Sequence, residues 1–405
     1  MPMLRPVGKK RALLHWVAVL LAPLAARLRP RRHPRNSAGL RQASRILWLN
    51  IWGLGDLALT TPALASLREA FPDAEITILI QPATRPLLAK SPYVDKIISV
   101  KLPWANRTGK YRPSRYLRGE FWALVRSLRG MHFDLAIDAH ADIRNNVFLW
   151  LIGARRRLGL DLGGSRFLLT DLVKADPSRP HHADVAEQLV AGLGGKSVLD
   201  RPSVVVAAGD RTEAESFWEK NQLGDGKMVV GIHAGAGSPT RYWGLDKFAA
   251  VADSLASQYP VKLLCFAQPD GYGSEIPIAA PHFTVAPRLG LLMALLEKCD
   301  LLLCNDGGPM HIATAVGTPV VAVFGPTEPN WWGPKGPGHE LVILDGFPCR
   351  PCGDICKFDQ PYCLTRLPVE TVLAAAQRLV ERLLAGGRPA PKRGASGRIE
   401  SFTNP

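Results

Sequence analysis

The sequence predicts an α/β protein with two parallel-sheet, Rossmann-like domains facing one another across a cleft. Three observations carry that expectation. Apolar runs of strand length alternate with amphipathic stretches of helix length in both halves of the chain. Each half opens with a strand that runs into a glycine-rich loop, Trp52-Gly53-Leu54-Gly55-Asp56 in the first and His233-Ala234-Gly235-Ala236-Gly237-Ser238 in the second. Residues 300–326 spell out a complete strand–turn–helix–strand unit.

In chain order, Ile46–Ile51 is a buried strand, followed by a helical pattern through Ala70 with Leu64, Leu67 and Phe71 on one side. Phe71-Pro72-Asp73 turns the chain into a second strand, Glu75–Ile80, and Lys96–Val100 gives a third. Residues 103–119, rich in Arg, Pro and Tyr, read as a basic loop. Phe133–Asp138 is a further strand that leads through Ala139–Arg144 into an apolar helix, and a helix over Ala183–Leu193 closes this half. The second half restarts with a strand over Met228–His233, a helix over Leu245–Gln258 and a strand over Val261–Phe266. Within the unit at 300–326, Leu301–Cys304 is wholly apolar, as a strand buried on both faces requires. Asn305–Gly308 breaks it, Pro309 suits the first position of a helix, Gly317 stops that helix and Val320–Phe324 is the next buried strand. Leu341–Leu344 adds a strand and Pro368–Leu384 an amphipathic helix. The boundaries read as an extension over 1–43, a first domain over 44–195, a second over 196–386 and a disordered tail over 387–405.

Composition narrows the function. With 405 residues, 47% of them hydrophobic, the chain can bury two cores. Of the net charge of +15, residues 1–45 supply +11 and the tail +3, which leaves the body near neutrality at +1. A near-neutral body argues against a nucleic-acid groove. Ala12–Leu28 is apolar but interrupted by His15, Pro23 and Arg27, and falls short of the roughly 20 apolar residues of a spanning helix. Its basic flanks suit a segment lying on an anionic membrane surface, with a solvated, disordered extension as the alternative. No clear small-residue cleavage site precedes the basic cluster, which makes a cleaved signal peptide the lesser expectation.

Cys349, Cys352, Cys356 and Cys363 are spaced C-x2-C-x3-C-x6-C, close enough to surround one tetrahedral metal. In a reducing compartment zinc is favoured over two disulfides, and the spacing also allows an iron–sulfur cluster. The cluster follows the last strand and is expected away from the ligand loops, so Cys352→Ser should cost stability before chemistry.

Two loops bear ligand chemistry. Gly53–Ala58 follows a strand and opens a helix, so it formally fits the dinucleotide fingerprint G-x-G-x-x-G/A. Asp56 would set a carboxylate against a pyrophosphate, however, and the second strand ends in Gln81 instead of an acid for the ribose. Asp56 is then either a general base for a hydroxyl or the N-cap of the following helix. In the second half, small residues let backbone amides approach a ligand, Ser238 and Thr240 offer hydroxyls and Arg241 a permanent cation. Together with Asn305–His311, whose helix N-terminus points amides at an anion, this loop would enclose a diphosphate.

These residues carry a resemblance. Ile46–Leu64, then His233–Ser238, then Asn305–Ala313 with Gly317-Thr318-Pro319-Val320 and Phe324-Gly325-Pro326-Thr327, resemble glycosyltransferase family 9, the ADP-heptose:lipopolysaccharide heptosyltransferases and relatives. The likeness spans about residues 45–385, and the cysteine cluster is similar to one in many members. The resemblance implies a GT-B fold, inverting and metal-independent transfer, an N-terminal acceptor domain and a C-terminal nucleotide-sugar domain. It places the base on Asp56, the phosphate-binding basic residue on Arg241 and donor contacts on Asp306 and His311, with Gly307 and Gly308 beside them. Gly55, His140 and Arg144 are candidates for acceptor binding. Gly307 stands where Thr or Ser is usual in the family, and Arg241 where Lys is usual.

The reading is an inverting glycosyltransferase that moves a sugar, heptose from ADP-heptose foremost, to a lipid-linked acceptor such as the lipopolysaccharide core. It would work on the cytoplasmic face of the inner membrane, without a catalytic cofactor and with a structural zinc. The rivals are a nicotinamide-dependent oxidoreductase and a non-catalytic zinc-bearing interaction protein.

Overall fold

Two six-stranded sheets, each parallel throughout, form the framework of the computed structural model, which describes residues 42–105, 119–161, 166–352 and 355–386. The extension up to residue 41, the basic loop over 106–118 and the tail from 387 lie outside the described residues. The chain divides into two units between Pro202 and Ser203.

In the first unit the strands are β1 (Arg45–Asn50), β2 (Glu75–Ile80), β3 (Lys96–Ser99), β4 (Leu135–Asp138), β5 (Arg156–Leu160) and β6 (Asp171–Val173), in the order β3-β2-β1-β4-β5-β6. The Val, Ile and Leu runs of β1, β2 and β4 are buried on both faces because helices cover the middle of the sheet. The helices are α1 (Leu54–Ala70), α2 (Gly119–Arg129), α3 (Ile143–Leu151) and α4 (His182–Ala191). Every residue of α1 from Leu57 to Leu67 is buried, and the helix packs against α4. Pro62 lies inside α1 and cannot donate to the Ala58 carbonyl one turn back. The Thr61 hydroxyl donates to that carbonyl instead, at 2.7 Å. The proline therefore costs α1 no unpaired acceptor.

The second unit repeats the plan. Its strands are β7 (Met228–His233), β8 (Val261–Phe266), β9 (His282–Val285), β10 (Leu301–Asn305), β11 (Val320–Phe324) and β12 (Glu340–Ile343), in the order β12-β11-β10-β7-β8-β9. Around them lie α5 (Ala208–Lys220), α6 (Leu245–Gln258), α7 (Leu289–Lys298), α8 (Gly308–Ala315), α9 (Pro329–Trp332), α10 (Tyr362–Thr365) and α11 (Val369–Ala385). In α11 the buried residues are Val372, Ala375, Ala376, Leu379 and Val380. This i, i+3, i+4, i+7, i+8 stripe seals against α6.

Counted from its own first strand, each sheet has the order 3-2-1-4-5-6 of a doubly wound fold. Strand order reverses between β1 and β4 in the first unit and between β7 and β10 in the second. Ligands of such sheets bind outside the carboxyl ends of the strands at that reversal. Both glycine loops named from the sequence leave from those ends. Pro309 occupies the second position of α8, one later than expected, because Gly308 already has helical geometry.

Candidate functional site

At the first reversal point, β1 ends at Asn50 and the chain turns through Trp52 and Gly53 into α1. Asp56 is the third residue of α1, not its cap. Its Oδ2 reaches back to accept the Gly53 amide at 3.1 Å, the arrangement by which an acid in the first turn satisfies the cap's own N–H. The turn is fixed from below. The Asn50 side-chain Nδ2 donates to Thr60 Oγ1 at 2.8 Å, and the Thr60 hydroxyl donates to the Asp56 carbonyl at 2.8 Å. The Asp56 side chain keeps 22% of its surface exposed.

Across the reversal, β4 ends in Asp138, which is fully buried. It accepts the amides of His140 (3.1 Å) and Asp142 (3.2 Å) and the side chain of Asn145 (2.8 Å). Burial outweighs these donors and pushes its pKa up to about 7. Wrapping the loop around one carboxylate puts Ala141 at φ 51°, a left-handed conformation that a Cβ disfavours. The result is that His140 faces α1, with Nε2 3.8 Å from Asp56 Oδ1. Burial lowers the His140 pKa to about 4, so the ring is neutral near pH 7 and the contact is not an ion pair. The Trp52 ring lies 5.7 Å from His140 and 6.0 Å from the Arg144 guanidinium. Arg144 in turn forms a two-pronged pair with Asp142, the N-cap of α3. Asp56, His140 and Arg144 thus come together around Trp52, which the sequence reading had not singled out. Gln81, at the end of β2, donates its side chain to the Ile51 carbonyl at 2.5 Å. The position that would grip a cofactor ribose holds up the glycine turn instead.

At the second reversal point, His233 ends β7, is buried, and has its pKa lowered to about 4 by desolvation. The loop beyond runs close under the end of β8. A Cβ on Gly235 would stand 2.3 Å from the Gln268 side chain. Ser238 and Thr240 hydroxyls lie 3.0 Å apart at the start of a 3-10 turn that presents Arg241. From β10, the Asn305 side chain donates to the Ala234 carbonyl at 2.5 Å and ties the two loops together. Asp306 follows, almost wholly buried. Its Oδ2 accepts Arg241 Nη1 at 3.3 Å and the Thr327 hydroxyl at 2.6 Å. Helix α8 then begins at Gly308 with Gly307 as its cap and no acid in its first turn, and His311 is buried within it. The amides of Gly308 and Met310 belong to that first turn, where helix N–H groups have no partner in the helix itself. The structure therefore gathers Ser238, Thr240, Arg241, Asp306, Gly307, Gly308 and His311 at one sheet end. A guanidinium, two hydroxyls and a helix N-terminus are groups that stabilise an anion.

The cysteine cluster corrects an expectation. It is not remote from the ligand loops, because the Cys352 amide donates to the Pro326 carbonyl at 3.0 Å, immediately before Thr327. The pKa of Cys352 is pushed up to about 11, first by burial and then by the neighbouring Cys349, Cys363 and Cys356 thiols. Four thiols acting on one another are a donor set of the right chemistry for zinc or iron. Among the described residues, however, no group of three or more His, Cys, Asp or Glu side chains is drawn together tightly enough to hold an ion. No helix among the described residues is long and apolar enough to cross a membrane.

Over 362 aligned residues the chain is 26% identical to lipopolysaccharide heptosyltransferase 3 of Escherichia coli, covering 82% of this chain and 98% of that protein. It superposes on a family 9 glycosyltransferase from Veillonella parvula with a TM-score of 0.68 and 26% identity, over 84% of this chain and 97% of the other. The fold is also that of E. coli ADP-heptose lps heptosyltransferase II, with a TM-score of 0.65, 21% identity and 84% and 99% of the two chains covered. Residues 121–362, more than half of the chain, match the model of glycosyltransferase family 9 (heptosyltransferase). The two parallel sheets are the two halves of a GT-B enzyme, and the chain belongs to glycosyltransferase family 9.

Proposed function

We propose that the chain is an inverting heptosyltransferase that moves heptose from a nucleoside diphosphate, ADP foremost, to a lipid-linked saccharide acceptor of the lipopolysaccharide core. The observation that carries this is Asp56, a partly buried carboxylate at a strand reversal point with a neutral histidine beside it. A protonated histidine there would weaken the carboxylate as a base, and burial keeps His140 uncharged. Asp56 takes the proton of the acceptor hydroxyl as that oxygen bonds to the anomeric carbon. The bond from that carbon to the diphosphate oxygen breaks on the opposite face, and the diphosphate leaves with the electron pair. Arg241, Ser238, Thr240 and the Gly308 and Met310 amides take up its charge, the work a divalent cation does elsewhere. Asp306 and His311 complete the donor site, and Gly55, His140 and Arg144 the acceptor site. The names of the two Escherichia coli relatives, both heptosyltransferases, support the sugar.

The four cysteines, in this reading, hold one structural metal, zinc before iron. Residues 1–43 attach the enzyme to the cytoplasmic face of the inner membrane through basic side chains and a short apolar stretch. Transfer assayed with a panel of nucleotide sugars against a heptose-deficient lipopolysaccharide core tests the function. Turnover of ADP-heptose in preference to hexose donors is the expected result, and transfer of a hexose alone would overturn the sugar assignment.

A further inference from the structure

We propose that the cysteine-bearing segment is the footing of the donor pocket: it sets Thr327 and Arg241 around Asp306, so that the state of its thiols and the binding of a nucleoside diphosphate are coupled. The inference rests on the reading of the second reversal point as the donor site.

Two side chains from separate loops converge on one oxygen, Asp306 Oδ2. Both loops are fastened to the same piece of chain. On the Thr327 side, Arg350 donates through Nε to the Gly325 carbonyl and through Nη2 to the Leu344 carbonyl, each at 2.8 Å. The Cys352 amide holds the next carbonyl, that of Pro326. Leu364, beside Cys363 in α10, presses on Gly325 so closely that a Cβ there would stand 2.5 Å from its Cγ. Only glycine permits this approach. Thr327 is therefore gripped from both ends of the cysteine segment.

On the Arg241 side, Trp243 donates its indole N–H to the Leu367 carbonyl at 3.2 Å. Lys247, at the start of α6, donates to the carbonyls of Thr365 (2.7 Å), Leu367 (3.0 Å) and Leu364 (3.3 Å). Leu364 thus touches both arms. A carboxylate as buried as Asp306 is stable only while its donors are in place. Displacing the Cys352 amide or the Cys363–Leu364 pair shifts one or both of them. Cys352 and Cys363 are themselves part of the footing, so covalent modification of their thiols acts on the donor pocket. Coupling is reciprocal: whatever factor the thiol state imposes on diphosphate affinity, diphosphate imposes on the thiols. Thr327 and Arg350 are positioning residues in this scheme.

The test uses the full-length protein, ADP and a thiol-specific reagent. Cys265, Cys299 and Cys304 are buried in the core and contribute only a slow background. Saturating ADP should slow reaction of the cluster thiols several-fold. Arg350→Met should weaken ADP binding by about three- to tenfold, the scale of one or two lost hydrogen bonds, in calorimetry. Thr327→Val should weaken ADP similarly and, at saturating ADP, lose the protection of the thiols, and Thr327→Ser should restore both. Thiols of wild-type protein that react equally fast with and without bound ADP would overturn the coupling even if the Arg350 variant did not fold. A wild-type protein that binds no ADP would instead overturn the donor-site reading beneath it.

Discussion

The two reversal points share one topology and differ in what begins the helix after their second central strand, α3 in the first unit and α8 in the second. In the first unit both helices leaving the central strands start with a carboxylate, Asp56 in the first turn of α1 and Asp142 at the cap of α3. In the second unit α8 starts with Gly307, Gly308 and Pro309, carries no acid in its first turn and is approached by Arg241. A helix N-terminus attracts anions. On the proposed function, a carboxylate already at the helix start excludes a phosphate and is left to act as the base. At α8, which carries no acid in its first turn and whose neighbouring Asp306 is paired with Arg241, the same reading has a diphosphate bind. The fold chooses the place of each site, and two or three residues at the helix starts choose the charge of its ligand. This is also why Gly53–Ala58 fits the dinucleotide fingerprint in form and fails it in chemistry.

The largest effect should come from removing the carboxylate at the first point. Asp56→Asn keeps an oxygen for the Gly53 amide, so α1 starts as before, but it cannot take a proton. Transfer should fall by roughly 100- to 10,000-fold with ADP affinity unchanged. Full activity in this variant would return Asp56 to a structural role and move the base to His140 or Asp142. Next in size is Arg241→Ala, which removes the guanidinium from the second point. ADP affinity should drop on the order of tenfold or more, with His311→Ala showing a smaller loss and acceptor binding intact in both. Unchanged affinity in both variants by calorimetry would remove the donor from this sheet end.

A third substitution makes the second point resemble the first. Pro309→Glu places a carboxylate in the first turn of α8, where Pro309 is only partly buried. A negative side chain there stabilises a helix by about 0.3–1 kcal/mol. It also repels a diphosphate. The two readouts should therefore move oppositely, with the melting temperature kept or raised and ADP affinity lowered about tenfold. Lower affinity together with lower stability would point to a packing fault instead of charge.

Much of this framework is legible in the sequence because strands buried on both faces are continuous apolar runs. Glu75–Ile80, Met228–His233, Val261–Phe266 and Val320–Phe324 were readable to the residue. Strand β5, Arg156–Leu160, was not, because it carries two arginines. Arg157 is nonetheless buried, its guanidinium donating to the Ala154 and Leu168 carbonyls at 2.7 Å. Helix α5 escaped notice because only Ala214 and Trp218 of its 13 residues are buried. At the sites, the glycine loops announce themselves locally, whereas Thr327 lies 21 residues from the carboxylate it holds. Trp52 and Asp138 act through the loops they shape. Such partners become visible only when the sheet brings distant strand ends together.

The finest difference between the two points concerns protons. His140 and His233 are each held near a pKa of about 4 by burial, against 6.5 for an exposed ring. Between pH 4 and 6.5 the unfolded chain then binds more protons than the folded one, and stability rises with pH. Asp138 works the other way. Its pKa is raised from 3.8 to about 7, so over that window the folded chain holds the extra proton and stability falls as pH rises. In the first unit the two slopes oppose one another over the same range, because His140 and Asp138 share one loop. In the second, His233 acts with the rising slope. Replacing it should therefore flatten the pH dependence of the whole protein more than replacing His140 flattens an already balanced pair. Urea midpoints measured from pH 4.5 to 6.5 should show His233→Gln losing up to one proton of slope, about 1.4 kcal/mol per pH unit. In an Asp138→Asn background the slope should steepen, because only the histidines remain. An unaltered slope in His233→Gln would mean that the ring gains its proton over the same pH range folded as unfolded, and that below this range the second point carries a positive charge besides that of Arg241.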